Sequence, residues 1–316
     1  MTAAPGTHDQ SHTAGMGYTL LAALGFAAVS TLTTIAIRNG AALPTVLAWR
    51  YVLASVVLTV FVGVRGYPRV PGRDLLKWLI IGGGGQALFV GMALSSLAYI
   101  PVATLAFLFY TYPSWVTLVQ AVRGAERVTV RRAFALALSF AGIVVIAGMP
   151  LGASSSAATA AATSALSPPD AMNWTGVGLA LGAAVLYGVY IPTMQALQKS
   201  HPIPVTSALA KIGAAACFLA WASYGGSFDW SLTSGAWVAI AALTIFSTVL
   251  PSLFFLMGLM RLGPVRTAIV STVEPFLTAI IGAVVLGQSL TVRTLIGGAM
   301  IAAAVVLLQF RRERVA

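Results

Sequence analysis

The sequence predicts an all-α, polytopic membrane protein of ten transmembrane helices, arranged as two inverted repeats of five. Three observations lead there. Of the 316 residues 59% are apolar and only 8% are charged, with a mean hydropathy of +0.92, whereas a soluble domain carries about 25% charged residues. The apolar residues gather in runs long enough to cross about 30 Å of hydrocarbon, roughly 20 residues each. The second half of the chain repeats the spacing of the first.

Residues 1–16 are polar and contain no Lys or Arg, so they lack the charged start of a signal peptide and read as a disordered cytoplasmic tail. The apolar runs follow at about 17–37, 44–64, 75–98, 101–122, 132–149, 174–197, 204–224, 235–260, 265–286 and 293–310. Only Tyr99-Ile100-Pro101 joins the third run to the fourth, which predicts a tight helical hairpin. Residues 150–173 are small and low in complexity, from Ser154-Ser155-Ser156 to Pro168-Pro169, and read as a flexible linker on the outer side. They separate a first repeat (17–149) from a second (174–310), and residues 311–316 form a basic cytoplasmic tail.

The net charge of +11 comes from short loops rather than from one basic face, which argues against nucleic acid as a partner. With a cytoplasmic N-terminus, the inner segments hold Arg65, Arg69, Arg73, Lys77, Arg123, Arg127, Arg131, Arg132, Lys199, Arg261, Arg266, Arg311, Arg312 and Arg314. The outer side holds Arg38 and Arg293, and Arg50 and Lys211 lie within runs, which accounts for all 18. By the positive-inside rule both termini are cytoplasmic, in a multi-pass protein of the cell's inner (plasma) membrane. Trp78, Trp174, Trp230 and Trp237 fit interfacial belts; Trp49 and Trp115 lie deeper and are candidates for lining a cavity or for helix packing.

The repeat aligns without gaps over the last three runs of each half. Pro113 pairs with Pro275, an offset of 275 − 113 = 162, and Thr129-Val130-Arg131 pairs with Thr291-Val292-Arg293 at the same offset. Earlier in the chain an offset of 161 pairs Arg50 with Lys211. Five runs are an odd number, so the second half enters the membrane inverted, the architecture of many secondary transporters.

Glu274 is the acidic residue placed inside an apolar run, and Pro275 follows it. A carboxyl group at bilayer depth is costly and is a functional-site candidate by default. The alternative is a neutral carboxyl hydrogen-bonded to a neighbouring helix. Pro275 has no N–H, which leaves the carbonyl of Ser271 without its helical partner. The repeat makes Tyr112, followed by Pro113, the counterpart of Glu274. Metal or disulfide chemistry finds no support: the lone cysteine is Cys217, and His8, His12 and His201 lie in the tail or a loop. No catalytic residues and no cofactors are expected.

Several motifs carry a family resemblance: Leu47-Ala48-Trp49-Arg50-Tyr51, Tyr110-Thr111-Tyr112-Pro113, Gly124-Ala125-Glu126-Arg127-Val128-Thr129, Val273-Glu274-Pro275-Phe276 and Gly287-Gln288-Ser289-Leu290-Thr291. With them the chain resembles the drug/metabolite transporter superfamily, in particular its EamA-type members of ten spans. One departure is Gln288, where such proteins often carry Glu after Gly. The resemblance implies a secondary transporter that exports small polar or amphipathic metabolites, amino-acid-like, or drugs, by alternating access. Its cavity would be lined by the first, third, fourth, sixth, eighth and ninth spans.

Candidate substrate-binding residues are Glu274, Tyr112, Tyr110, Gln86, Tyr187, Tyr190, Ser271, Ser247 and Arg50. Tyr187 and Tyr190 are three apart and share a helix face. Gly82-Gly83-Gly84-Gly85 admits either a ligand or a closely packed helix. Hydroxyls such as Thr244, Ser247, Thr248 and Ser252 more often bond their own helix backbone. Arg50 and Lys211 lie about 10 Å from a span end, within snorkelling reach, so they read as anchors unless one faces an anionic substrate group. The partners expected are a small-molecule substrate, protons as a candidate coupling ion, and the lipid bilayer, with the protein a monomer or weak dimer. An intramembrane lipid-processing enzyme would need a partner for Glu274, and a channel would need charged rings or filter loops.

Overall fold

The computed structural model describes residues 7–68, 70–122, 129–147, 173–197 and 201–309, and every regular element among them is helical. The first half comprises α1 (Thr7–Ala27), α2 (Val29–Arg38), α3 (Leu43–Val64), α4 (Gly72–Lys77), a π-helical turn (Trp78–Gly84), α5 (Gly85–Ser95), a 3-10 turn (Ser96–Ala98), α6 (Val102–Phe109), α7 (Tyr112–Val122) and α8 (Val130–Ala147). The second comprises α9 (Trp174–Leu197), α10 (Ile203–Tyr224), α11 (Ser234–Thr244), a π-helical turn (Ile245–Val249), α12 (Leu250–Ser271), α13 (Glu274–Leu286) and α14 (Val292–Gln309).

Seven continuous helical runs are long and apolar enough to cross a membrane by length and composition, and Ala133–Ile146, Glu274–Leu286 and Val292–Leu307 are shorter apolar helices. Large apolar side chains cover the outside, with Val60, Ile80, Phe246 and Val284 all at least 60% exposed, as a lipid-facing surface requires and a water-facing one avoids. This is an all-α, polytopic membrane protein.

Two boundaries differ from the sequence expectation. Residues 7–16 are helical rather than disordered, because no glycine or proline stands between Thr7 and Ala14 to stop the helix growing back from the apolar run. The backbone also stays helical through 261–264, where a loop was expected between the eighth and ninth spans. The hairpin connection at Tyr99-Ile100-Pro101 is as expected. The linker, the basic tail and the motif at 124–128 lie outside the described residues.

Helix packing repeats under exchange of the halves. α1 packs on α12 as α9 packs on α5, so α1 answers to α9 and the first part of α12 to α5. Three pairings map onto themselves: α3 with α10, α8 with α14, and the broken run α6–α7 with the run from the end of α12 through α13, which meet where α6 packs on α13. Two of these visibly run antiparallel. Thr45 donates to the Ser227 carbonyl while Tyr51 meets Phe218 in a tilted ring contact at 5.0 Å. Val102 N–H donates to Gln288 Oε1 at 3.0 Å, Phe107 meets Phe276 at 5.1 Å, and Tyr110 reaches Ser271. A self-mapped antiparallel pair requires a two-fold axis running across the helices, so the repeats are inverted.

Among the four consecutive glycines, Gly83 serves packing. A Cβ on Gly83 would collide with the backbone of Gly213, and one on Gly213 with the Leu79 carbonyl. The third span therefore sits backbone to backbone against α10, the close approach that small residues permit between membrane helices.

Trp49 and Trp115, candidates for lining a cavity or for helix packing, line neither of the two chambers described below. Trp49 joins Trp230, Trp237 and Phe228 in an aromatic cluster at centroid distances of 4.9, 5.0 and 5.8 Å. Asp229 accepts the Ser231 hydroxyl at 2.6 Å and amide at 2.7 Å, bonds that hold its carboxyl below the usual carboxylate range and order the turn carrying Trp230. Trp115 packs on Phe140 at 5.3 Å.

Candidate functional site

The site begins with two helix breaks. α12 ends at Ser271 and α13 begins at Glu274; α6 ends at Phe109 and α7 begins at Tyr112. Both breaks obey the repeat, since 271 − 109 = 162 and 274 − 112 = 162. Each precedes a proline, whose missing N–H removes one helical hydrogen bond. The Ser271 carbonyl, freed by Pro275, instead accepts the Tyr110 hydroxyl. Each break is thereby held by the other half of the protein.

Between the halves lies a cavity of about 380 Å3, within the usual range of small-ligand sites. The first half contributes Arg50, Tyr51, Gln86, Phe89, Tyr110 and Tyr112, and the second Tyr187, Lys211, Ser247, Thr248, Ser271 and Glu274. A second chamber of about 390 Å3 shares Gln86, Tyr187, Lys211, Ser252 and Phe255 with the first, and extends past Tyr190 to Trp78, Met194 and Ile203. Of the nine residues expected to bind substrate, Tyr190 lines only this second chamber and the rest line the first. Trp78, expected in an interfacial belt, is 4% exposed and belongs to the second chamber's wall, because the π-helical turn it begins packs against α10.

One wall is aromatic. Tyr187 lies 4.6 Å from Phe89, 4.8 Å from Tyr112 and 5.4 Å from Phe109, and Tyr190 donates to the Gly82 carbonyl at 2.9 Å. Such rings offer wide apolar contact with a polar tip. Glu274 is half-buried at the start of α13, and among the described residues no side chain hydrogen-bonds or ion-pairs with its carboxyl. Its backbone carbonyl accepts Thr278 Oγ1 at 3.0 Å. The alternative of a carboxyl bonded to a neighbouring helix thus has no partner here.

The anchor reading of Arg50 and Lys211 is corrected. Both side chains belong to the lining of the cavity. Arg50 is 6% exposed and donates from Nε to Thr248 Oγ1 at 2.9 Å. Lys211 Nζ donates to Gln86 Oε1 at 3.1 Å. Both cations lie over the Tyr51 ring, at 5.2 and 5.4 Å from its centroid. They compete for one ring because α3 and α10 pack on each other, and an aromatic face attracts both. The second and seventh spans, absent from the lining that the family resemblance implied, therefore line the cavity too. The sequence signal for them was the Arg50/Lys211 pairing itself: two cations within apolar runs, matched by the repeat.

The hydroxyls divide. Thr244 bonds to the Ile240 carbonyl at 2.8 Å, Thr248 to Leu243 at 2.9 Å and Ser252 to Thr248 at 2.5 Å, as helix hydroxyls usually do. Ser247 is fully buried, and its Oγ has no partner among the described residues. It sits in the π-helical turn Ile245–Val249, a distortion that often marks functional sites.

The comparisons agree with this geometry. The model of the EamA-like transporter family matches residues 13–148 and 174–310. The chain belongs to the EamA-like transporter family. An uncharacterized transporter of Archaeoglobus fulgidus is 25% identical over 238 residues, 75% of this chain and 76% of the relative. The threonine/homoserine exporter RhtA of Escherichia coli is 36% identical over 135 residues, 41% of this chain and 43% of RhtA. A protein of known crystal structure superposes with a TM-score of 0.59 at 18% identity, covering 95% of this chain and 96% of its own, which speaks to the fold alone.

EamA-like proteins are transporters rather than enzymes, so this chain carries a small-molecule substrate and works within the lipid bilayer. Gln288 shows why a charge is dispensable after the ninth span: its Oε1 accepts the Val102 N–H, one of the unpaired amides that open α6. A neutral amide does that as well as a carboxylate.

Proposed function

We propose that this EamA-like protein is a secondary transporter that exports small polar or amphipathic solutes of amino-acid type, or drugs, by alternating access around the cavity between its halves. The observation that carries the proposal is the cavity's composition: one unpaired carboxyl, two cations and an aromatic wall, drawn from both inverted repeats. A zwitterion fits that set, with its ammonium group on Glu274. The relative named as a threonine/homoserine exporter supports amino acids as cargo.

The proposal includes ten spans in two repeats, 17–149 and 174–310, joined by an outer linker at 150–173. It places both termini in the cytoplasm and the protein in the inner membrane, on the charge asymmetry of the loops. Protons are the proposed coupling ion, with Glu274 as the group that exchanges them. Both halves of the site lie in one chain, so a monomer suffices and any dimer is incidental.

Counterflow tests this reading. Purified protein in liposomes preloaded with unlabelled L-threonine should take up external radiolabelled threonine transiently above equilibrium, which a channel cannot do. Uptake that only equilibrates would refute a carrier mechanism; no uptake of threonine, with counterflow of other solutes from a metabolite panel, would refute amino-acid cargo.

A further inference from the structure

We propose that the cavity contains an anion subsite in which Arg50 Nη1 and Ser247 Oγ bind the carboxylate of the transported solute. The inference rests on the transport reading above and specifies which end of the solute meets which wall.

Two buried donors on residues that line the cavity lack partners, and the Arg50–Thr248 hydrogen bond ties Arg50 to the residue next to Ser247. Arg50 spends Nε on Thr248, while its Nη1 makes no hydrogen bond among the described residues. Ser247, adjacent in sequence to Thr248, is likewise unpaired at Oγ. Arg50 is 6% exposed and Ser247 0% exposed; both residues belong to the lining of the same cavity, and their unpaired atoms are closed off in this conformation, so a carboxylate reaches them as that wall opens. Native proteins pair nearly all buried polar atoms, and an unmatched one calls for an explanation. Here the pair comprises a guanidinium edge and a hydroxyl, both able to donate to one acceptor group. A planar carboxylate suits that edge, because its two oxygens accept N–H bonds side by side.

Charge points the same way. Arg50, Lys211 and Glu274 are the charged residues of the lining, two basic and one acidic, and Lys211 is already bonded to Gln86. A solute carboxylate at Arg50 answers the excess cation, and an ammonium group on the same solute answers Glu274. The remainder of the solute then lies against Tyr112 and Tyr187.

Thermal-shift and calorimetric titrations of the purified full-length protein test this with three probes: L-threonine, its methyl ester and sodium butyrate. The ester keeps the ammonium group and lacks the carboxylate; butyrate has the carboxylate alone. Threonine should bind about tenfold to a hundredfold more tightly than the ester, the usual worth of a charged hydrogen-bonded pair. Ser247→Ala, which removes an unpaired hydroxyl and leaves the helix intact, should weaken threonine severalfold and leave the ester unchanged. Arg50→Gln should abolish the preference over the ester. Equal binding of threonine and ester overturns the subsite and leaves the transport reading standing. Binding of butyrate, but not threonine, that weakens in Ser247→Ala supports the subsite and defeats amino-acid cargo. No carboxylate-dependent binding by either probe overturns the subsite.

Discussion

Tyr110→Phe should destabilise the protein, and Pro275→Ala should relieve that loss. The Tyr110 hydroxyl donates to the Ser271 carbonyl, and the two residues are only 5% and 8% exposed. Phenylalanine keeps the ring and leaves the carbonyl unpaired. A buried polar group that loses its partner costs about 1–3 kcal/mol. Hydrogen bonds between membrane helices average about 0.6 and reach about 1.7 kcal/mol in double-mutant cycles. Tyr110→Phe should therefore cost roughly 1 kcal/mol, about a fivefold change in the unfolding equilibrium. Pro275→Ala supplies an N–H four residues after Ser271, the position of the missing helical donor. In that background the tyrosine is no longer the carbonyl's sole partner, and Tyr110→Phe should cost only a few tenths of a kcal/mol. Equilibrium unfolding of all four proteins in mixed micelles of rising dodecyl sulfate, followed by tryptophan fluorescence, measures the cycle. An equal loss in both backgrounds would refute the account of how the two breaks are joined.

Glu274→Gln keeps the shape but cannot titrate, so gradient-driven accumulation should disappear while some passive exchange survives; unaltered affinity, rate and pH response would reduce Glu274 to a packing residue. Gly83→Leu should abolish folded protein on size-exclusion chromatography, since any Cβ there meets α10, whereas Gly84→Ala should be neutral or stabilising by about 1 kcal/mol, as a Cβ at Gly84 has nothing within 4 Å. Equal yields of the two variants would undo the packing assignment. In a Cys217→Ala background, Ser155→Cys should react with an impermeant thiol reagent in intact cells and Arg69→Cys should not; the reverse pattern would invert the proposed orientation.

Backbone features were the most legible part of this molecule, and side-chain direction the least. Pro275 pointed to an opened helix at Ser271, and the repeat matched it with Pro113, whereas Pro192 sits inside α9 without ending it. The Tyr99-Ile100-Pro101 turn was equally plain. Whether Arg50 snorkels or turns inward depends on what α10 presents to α3, which no single run of residues records. Ser247 could not be told from Thr244, Thr248 and Ser252 by sequence. Thr248, in the same π-helical turn, reaches the Leu243 carbonyl five residues back, so the turn by itself does not set Ser247 apart.

The inverted repeat explains why the site falls where it does. A residue lies near a two-fold axis when its helix packs against that helix's own counterpart; α3 with α10 is such a pair, and the run α6–α7 meets its own counterpart, the end of α12 with α13, where Tyr110 reaches Ser271. Arg50 and Lys211 come from the first pair; Tyr110, Tyr112 and Glu274 come from the second or lie beside its breaks. Symmetry alone brings these side chains together at the centre of the molecule. It does not make them alike: the cations match across the axis, but Tyr112 faces Glu274 as its counterpart. The helix pairing thus repeats while the chemistry is one-sided, with the acidic group of the cavity lining in the second half. In the proposed transport cycle a single carboxyl at the axis can stay with the solute in both orientations, whereas two symmetric carboxyls would repel each other and hold an extra cation.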